Sequence, residues 1–434
     1  MPQKKPLPVV TATFEKIIGG GQALATLPTG QKMFAWNALP GETADVQLTK
    51  KKSSYAEGVA TTIHEKSPAR IAPQDPDSYL STSPWQIMDF ESEQHYKAAL
   101  VEEAFEMHDI VLPNTIEMYS DGRQFEYRNK IEYSFWFDAE TEKVSLAFFR
   151  RGSHGKIIVK ETSLAMPVIN EVAHEVLDAL NQMNTLGRHL KTLMIRANTA
   201  GEVSWQLYVK EEDFNVERLA QILGSKLERG EVIYSNPKSP ASVITKVLTE
   251  DSVPPLTDTI LGVPFRYATE GFFQINLPVY EQALRDMKEF IPAGKPVVDL
   301  YSGVGTIGLT IGGDDVTLVE INESAVREMK RNIDELGRKN ARAVLAASEN
   351  ALEYISSDAT VIIDPPRAGL HDAVVEKLLE AAPERIVYLS CNPVTQARDV
   401  AKLAEKYGVL HHRGYNFFPR TPHIEHLVVL DLKK

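Results

Sequence analysis

Residues 296–308 read Pro-Val-Val-Asp-Leu-Tyr-Ser-Gly-Val-Gly-Thr-Ile-Gly, and no other stretch narrows the choice of fold as far. An apolar run (Val297, Val298, Leu300) enters a turn with glycines at 303, 305 and 308, and apolar residues follow at Ile307, Leu309 and Ile311. The glycines match G-x-G-x-x-G. They permit a tight turn and a close approach of backbone to a ligand. A buried strand that runs through such a turn into a helix is the opening unit of a doubly wound α/β sheet. A second apolar run, Thr317-Leu-Val-Glu320, ends in a carboxylate eighteen residues past Ser302. An acid there can accept both hydroxyls of an adenosine ribose. NAD and S-adenosylmethionine are served equally by this arrangement, and an unliganded strand-turn-helix has the same pattern.

Two further apolar runs end in reactive residues. Val361-Ile-Ile-Asp364-Pro-Pro-Arg367 closes a strand with an acid and two prolines. The prolines remove backbone donors and stiffen the exit, which fixes the carboxylate at the strand tip. A capping acid in a stiff loop would look the same. An acid-Pro-Pro turn after a fourth strand also resembles the base-binding loop of nucleic-acid methyltransferases, and dehydrogenases have no use for it. Arg385-Ile-Val-Tyr-Leu389 then leads into Ser390-Cys391-Asn392-Pro393. A side chain at the carboxyl end of such a strand points into the crevice where open α/β sheets bind ligands. Cys391 is the only cysteine, which excludes an intrachain disulfide and a multi-cysteine metal site. It is either a small packed group or a nucleophile.

Five motifs occur in order: Gly271-Phe272-Phe-Gln274-Ile-Asn276, Asp299-Leu-Tyr301-Ser-Gly-Val-Gly305, Asp364-Pro-Pro-Arg367, Leu389-Ser-Cys391-Asn-Pro393 and His423-Ile-Glu425-His426. On these motifs, residues 271–426 resemble the RNA 5-methyluridine methyltransferases, which modify uridines of tRNA and of 23S ribosomal RNA. The resemblance implies an α/β fold with a Rossmann-like S-adenosylmethionine methyltransferase domain. The chemistry it implies explains the residue types. Carbon 5 of uracil is too weak a nucleophile to attack a methyl sulfonium. A thiolate adding to carbon 6 makes an enolate, carbon 5 takes the methyl group, and a base removes the carbon 5 proton before the thiolate leaves. By resemblance, Cys391 is the nucleophile and Glu425 the general base, a role that contributes about 10²–10⁴-fold. Gln274, Tyr301, Thr306, Glu320 and Asp364 match positions that hold S-adenosylmethionine, with Glu320 on the ribose and Asp364 also positioning the uracil. Phe272 is expected to stack near the target base. Thr306 stands where relatives often carry Asn. Ala347 and Ser348 fall where some have a polar adenine contact, and none is assigned to them.

The chain departs from its relatives upstream. Many members bind an iron-sulfur cluster through three closely spaced cysteines and a later fourth. Here those positions are Asp75, Ser81, Pro84 and Ser163, so no iron-sulfur cluster is expected. Packing must replace the lost cross-link, and Trp85 is a candidate. No metal ligands are assigned.

Residues 1–67 alternate short β-like runs with turns at Gly19-Gly-Gly21, Pro28-Thr-Gly30 and Leu39-Pro-Gly41, the pattern of a small barrel. They are similar to the OB-like TRAM domain that precedes many of these enzymes. Phe34, Trp36 and Tyr55 beside Lys50-Lys51-Lys52 are candidate single-strand RNA contacts, although a triple lysine is equally a solvated hairpin edge. Residues 68–260 are expected to form a central α+β substrate-facing domain. It has a helix at Ser92–His108, strands at Lys130–Phe137, Val144–Phe149 and Val203–Val209, and a segment near 93–124 packed with the catalytic domain. Pro254-Pro255 and Gly262-Val-Pro264 mark the join to catalytic residues 261–434.

The chain carries 47 Lys/Arg against 59 Asp/Glu, a net charge of −12. Nine bases and five acids in residues 1–70 give +4 there, so residues 71–434 hold −16. Such a balance disfavours indiscriminate nucleic-acid binding, and RNA contacts must come from local patches. Arg123, Arg128, Lys130, Arg150 and Arg151 are the best such patch in the central region. Met-Pro-Gln-Lys-Lys lacks the apolar core of an export signal, no apolar span suits a membrane, and a cytoplasmic monomer is expected. The combined reading is a uridine C5-methyltransferase acting on tRNA or 23S rRNA, with the uridine flipped out or its loop refolded. An exocyclic-amine methyltransferase would need no thiol. A non-catalytic RNA chaperone would need neither Cys391 nor Glu425, and a nicotinamide oxidoreductase would bind a different cofactor.

Overall fold

The computed structural model describes residues 7–151, 155–250 and 253–434. The Met-Pro-Gln-Lys-Lys run lies outside the described residues. Besides a hairpin of Leu256–Ile260 with Val263–Tyr267, three larger sheets organise the chain.

The first has six strands, in the order Val9–Thr13, Thr43–Lys51, Tyr55–Glu65, Lys32–Trp36, Ala23–Thr26 and Lys16–Ile17. Its strands bury alternate residues: Ala44, Val46 and Leu48 point inward from one strand, Met33 and Ala35 from another. Three register shifts interrupt the pairing of Thr43–Lys51 with Tyr55–Glu65, the irregularity that lets strands in small barrels bend.

The second has seven strands: Lys156–Ile158, Lys143–Phe149, Lys130–Asp138, Leu190–Ala197, Val203–Val209, Gly230–Tyr234 and Lys246–Val247. Helix Pro167–Gln182 starts on a proline at N1, a position that wastes no backbone donor. It buries Ile169, Ala173, Val176 and Leu180, spaced to face one way. These pack with Tyr133, Phe135, Leu146, Ile195 and Leu207 from one face of the sheet. Helix Val216–Leu223 covers the same face through Leu219 and Leu223.

The third sheet carries the chemistry-bearing motifs. Five parallel strands run in the order Arg342–Leu345, Val316–Glu320, Val297–Leu300, Thr360–Ile363, Arg385–Ser390. Antiparallel Glu425–Leu432 follows, then Tyr407–Tyr415, and Met118–Tyr119 pairs parallel to that edge. The inner strands are mostly apolar and almost wholly buried, because helices cover both faces. The short strand Met118–Tyr119 enters from far upstream. The helix before it, Phe90–Glu106, packs against helix Pro393–Leu403. That upstream helix starts two residues before the expected Ser92 because Asp89 caps it, accepting the Ser92 N–H at 2.8 Å.

Candidate active site

The parallel strands end at one edge of the sheet, and each end delivers one motif. Leu300 pairs with Val319 and with Ile363, so the Gly-rich turn, Glu320 and Asp364 follow at adjacent tips. The turn is conformationally demanding. Tyr301, Gly303 and Gly305 all have positive φ, at 64, 57 and 90°, and the non-glycine Tyr301 is the costly one. Gly308 meets a different demand, because a Cβ there would lie 2.4 Å from Leu318 and 2.9 Å from Asp299 Oδ2. That closeness lets Asp299 accept the Gly308 N–H at 2.8 Å. Glu320 buttresses the turn, accepting from Gly303 N–H at 2.9 Å and Asn322 N–H at 2.7 Å.

Strand register brings the thiol and a second carboxylate together. Ser390 pairs with His426 across the antiparallel ladder, so Cys391 and Glu425 stand one step further along, on neighbouring strands. The loops around them are tied to one another. Asn392 Nδ2 donates to the Arg367 carbonyl at 2.9 Å, and Thr395 Oγ1 donates to the same carbonyl at 3.2 Å. Arg367 Nη2 reaches His423 Nδ1 at 3.0 Å. The Asp-Pro-Pro, Cys and His-Ile-Glu loops therefore act as one assembly.

A cavity of about 940 Å³ opens above these tips. Its lining includes Phe272, Gln274, Tyr301, Glu320, Asp364, Cys391 and Glu425. Ala347 and Ser348 also line it. Thr306 does not. It opens helix Thr306–Ile311, and its hydroxyl is spent on the Tyr280 hydroxyl at 2.8 Å. Asp299, Arg367 and His423 lie inside the five motifs without a role legible in the sequence. Ile244 reaches the cavity from the central sheet's last connection, and nothing in its local pattern flags it.

Burial dominates the electrostatics. It holds the carboxyls of Asp364 and Glu425 well above their ordinary range, and each makes the other harder to ionise. Neither carboxylate has a hydrogen-bond partner among the described residues. Burial, reinforced by the charges of Glu425 and Asp364, pushes the Cys391 thiol up to about 12, with Arg367 opposing. The resting site therefore holds a protonated thiol. Burial, then the Arg367 charge, lowers His423 to about 3, so its imidazole is neutral.

The expected RNA contacts fare unevenly. Lys130 turns inward, donating to the Glu270 carbonyl at 2.9 Å, and burial lowers it to about 8. Arg123 sits 3.8 Å from Asp121. Arg151 and Trp36 meet each other, the guanidinium lying 4.2 Å over the indole, so Trp36 is not an open stacking platform. Lys50 pairs with Glu57 at 2.8 Å, at the hairpin edge. At the positions where relatives carry cluster cysteines, Asp75 takes the Ser163 hydroxyl at 2.8 Å and its N–H at 3.2 Å. Gln86 Nε2 adds a bond to Asp75 at 3.1 Å. Trp85 does not make this link. Its indole instead donates to Gly21 of the first sheet at 3.0 Å.

The fold and the motif order at its strand tips are those of a Rossmann-like methyltransferase. A family model for tRNA (uracil-5-)-methyltransferase matches residues 91–433. The chain belongs to that family, and so is an S-adenosylmethionine-dependent RNA (uracil-C5)-methyltransferase. Among curated proteins it is similar to an uncharacterized RNA methyltransferase of Fusobacterium nucleatum, 28% identical and covering 98% of this chain and 96% of that one. Another from Bacteroides thetaiotaomicron is also 28% identical, covering 92% and 97%. Among solved structures it is similar to the Pyrococcus abyssi tRNA (uracil-54, C5)-methyltransferase in complex with S-adenosyl-L-homocysteine. The TM-score is 0.75, the identity 21%, and the coverage 97% of this chain and 100% of that one. At that identity the likeness concerns the fold. No helix among the described residues is long and apolar enough to cross a membrane.

Proposed function

We propose that the protein methylates carbon 5 of a uridine in a structured RNA through a covalent Cys391–uracil adduct resolved by Glu425. The observation that carries this reading is the register that sets Cys391 beside Glu425 at the floor of one cavity, next to Asp364. S-adenosylmethionine, when bound, supplies an electrophilic methyl group. The residues present suit it: Glu320 ends the second strand beside the Gly-rich turn, and Asp364 offers an unpartnered carboxylate to a cation. Gln274 and Tyr301 line the same side, and Phe272 stands exposed at the mouth as a stacking surface for the base.

In the reaction, the Cys391 thiol loses its proton to solvent water and its sulfur bonds to carbon 6 of the uracil. Electron density shifts to carbon 5 and the carbon 4 oxygen, and carbon 5 gains the methyl group. Glu425 then takes the carbon 5 proton, and the sulfur–carbon 6 bond breaks as the ring double bond reforms. A carboxylate held above its ordinary range by burial is a stronger base than a solvated one. Arg367 opposes the burial of negative charge at the thiol, which helps the thiolate form.

The family description and the named substrate of the Pyrococcus abyssi protein make tRNA the first pool to test. Methyl-labelled S-adenosylmethionine is incubated with total tRNA and, separately, with deproteinised ribosomal RNA, and the products are digested to nucleosides. Label is expected in 5-methyluridine, with a loss of at least about a thousandfold for Cys391→Ala. Label in another nucleoside, retained by Cys391→Ala, would sink the reading.

A further inference from the structure

The seven-stranded central sheet has one face packed by helices; the other is buried over its middle strands, where Met194, Tyr208 and Ile233 pack together, and is exposed toward the edge formed by Lys143–Phe149 and Lys156–Ile158. Strand alternation assigns the residues: Tyr133, Phe135, Val144 and Leu146 point to the helices. Trp136, Ala147, Phe149 and Ile158 occupy the other face. Trp136, Phe149 and Ile158 are 43, 56 and 50% exposed. Three large apolar side chains at the exposed end of one face, in a chain of net charge −12, require an explanation. Single exposed apolar residues are ordinary, but a contiguous set marks a binding surface.

Register shows the set to be contiguous. Ser134 pairs with Ala147, Ala147 with Ile158, Trp136 with Ser145, and Phe149 with Lys156. Small residues, Ser134, Ala147 and Ser145, thus form a floor between the three large ones. Lys156 places its ammonium 5.1 Å over the Phe149 ring, which brings a cation onto the platform without hiding it. Acids flank the platform on both sides along the strand: Glu132, exposed on the same face, and Asp138, Glu140 and Glu142 at the far turn of the hairpin.

The face runs into the active-site cavity. Lys130, on the same strand and face as Trp136, donates to the Glu270 carbonyl, and Arg196 beside it donates to the Ala268 carbonyl. Ala268 and Glu270 both line the cavity. The strand's rise puts Trp136 roughly 20 Å from Lys130. Between them the connection after Gly230–Tyr234 crosses the face, pinned by Ser242 to Glu132 at 2.6 Å and to Thr192 at 3.1 Å. Its neighbours Val243 and Ile244 are 40 and 43% exposed, and Ile244 itself lines the cavity.

We propose that this exposed strip, from Ile244 at the cavity mouth to Trp136, Phe149 and Ile158, is a stacking track for unpaired bases of the RNA strand that flanks the target uridine. Exposed aromatic rings on a sheet with a neighbouring cation are the elements that hold single-stranded RNA with little sequence preference. Continuity with the cavity favours RNA over a protein partner. The inference rests on the reading of the protein as an RNA enzyme.

The test uses the full chain and a fluorescein-labelled oligouridine of about twenty nucleotides. Binding is followed by anisotropy for wild type, Trp136→Ala, Phe149→Ala, the double variant, Trp136→Phe and Leu410→Ala. Leu410 is a comparably exposed residue on the last sheet. Thermal melting checks that each variant is folded. The double variant is expected to bind at least about tenfold more weakly, with the salt dependence unchanged because no phosphate contact is removed. Trp136→Phe and Leu410→Ala are expected to bind as wild type does. Unchanged affinity in the double variant would overturn the track, as would an equal loss for a duplex RNA of the same length. A wild-type dimer that Trp136→Ala converts to a monomer would assign the face to a second copy instead. Wild type that forms no 5-methyluridine in any RNA would sink the parent reading. Wild type that methylates RNA while the double variant binds normally would sink the track alone.

Discussion

Cys391, Glu425 and Asp299 show how burial sets chemistry one residue at a time. A thiol pushed up to about 12 is inert in the resting protein, so reactivity must arrive with the substrate. Asp299 is fully buried, with one oxygen on the Gly308 N–H and the other without a partner among the described residues. Burial raises it to about 8, with the Asp364 and Glu320 charges adding to the effect. A carboxyl whose folded value exceeds its unfolded one binds more protons when folded. Its contribution to stability is therefore greatest at low pH and declines as pH rises from about 4 to about 8. Relative to Asp299→Asn, wild type should lose stability across that interval in denaturant titrations of the free protein. A difference independent of pH would mean that Asp299 is ionised throughout. At the same scale, Glu425→Gln should retain cofactor binding, measured by calorimetry, while product formation falls about 10²–10⁴-fold.

Among the elements, the loop at Asp75 shows what a substitution of ligand residues leaves behind. The sequence displays the missing thiols plainly but not their replacement, because a hydrogen bond between positions 75 and 163 leaves no local period. Four donors converge on the Asp75 carboxylate: Ser163 N–H and Oγ, Gln86 Nε2 and, at 3.5 Å, Thr162 Oγ1. Asp75→Ala would strand them half-buried, and a loss of about 1–3 kcal/mol is expected in chemical denaturation. Trp85→Ala should act elsewhere, loosening the first sheet, since its indole bonds to Gly21. The strands of the third sheet were easier to recognise. Short, continuous, β-branched-rich apolar runs such as Val361-Ile-Ile and Ile386-Val-Tyr-Leu have the pattern of strands buried on both faces. For Thr306 the motif position says which helix the residue opens, not that its hydroxyl turns to Tyr280.

At the scale of the whole molecule, segments far apart in the chain support the Glu425 loop. Lys97 and Glu93 form a fully buried pair at 3.1 Å on helix Phe90–Glu106. Lys97 donates to Asn416 Oδ1 at 2.7 Å, and Glu93 accepts the Arg420 N–H at 3.0 Å. The first sheet reaches the same loop. Gly21, at φ +93°, lies so close to Pro422 that a Cβ would fall 2.3 Å from the Pro422 Cβ. Gly21→Ala should lower stability by about 1–3 kcal/mol. It should also reduce the single-turnover rate of methylation while the Kd for S-adenosylmethionine holds, because the displaced loop carries Glu425 and not the Gly-rich turn. These contacts span some three hundred residues of chain, which is why periodicity and motifs revealed the site but not its supports.

The central claim is the covalent route, and trapping the adduct tests it most directly. Glu425→Gln is mixed with tRNA or ribosomal RNA and methyl-labelled S-adenosylmethionine, then run on a denaturing gel beside the Cys391→Ala,Glu425→Gln double variant. A labelled protein–RNA band that persists under denaturation in the first and vanishes in the second is the expected result. Absence of any such band, together with 5-methyluridine formed by Cys391→Ala at a rate close to wild type, would contradict the account.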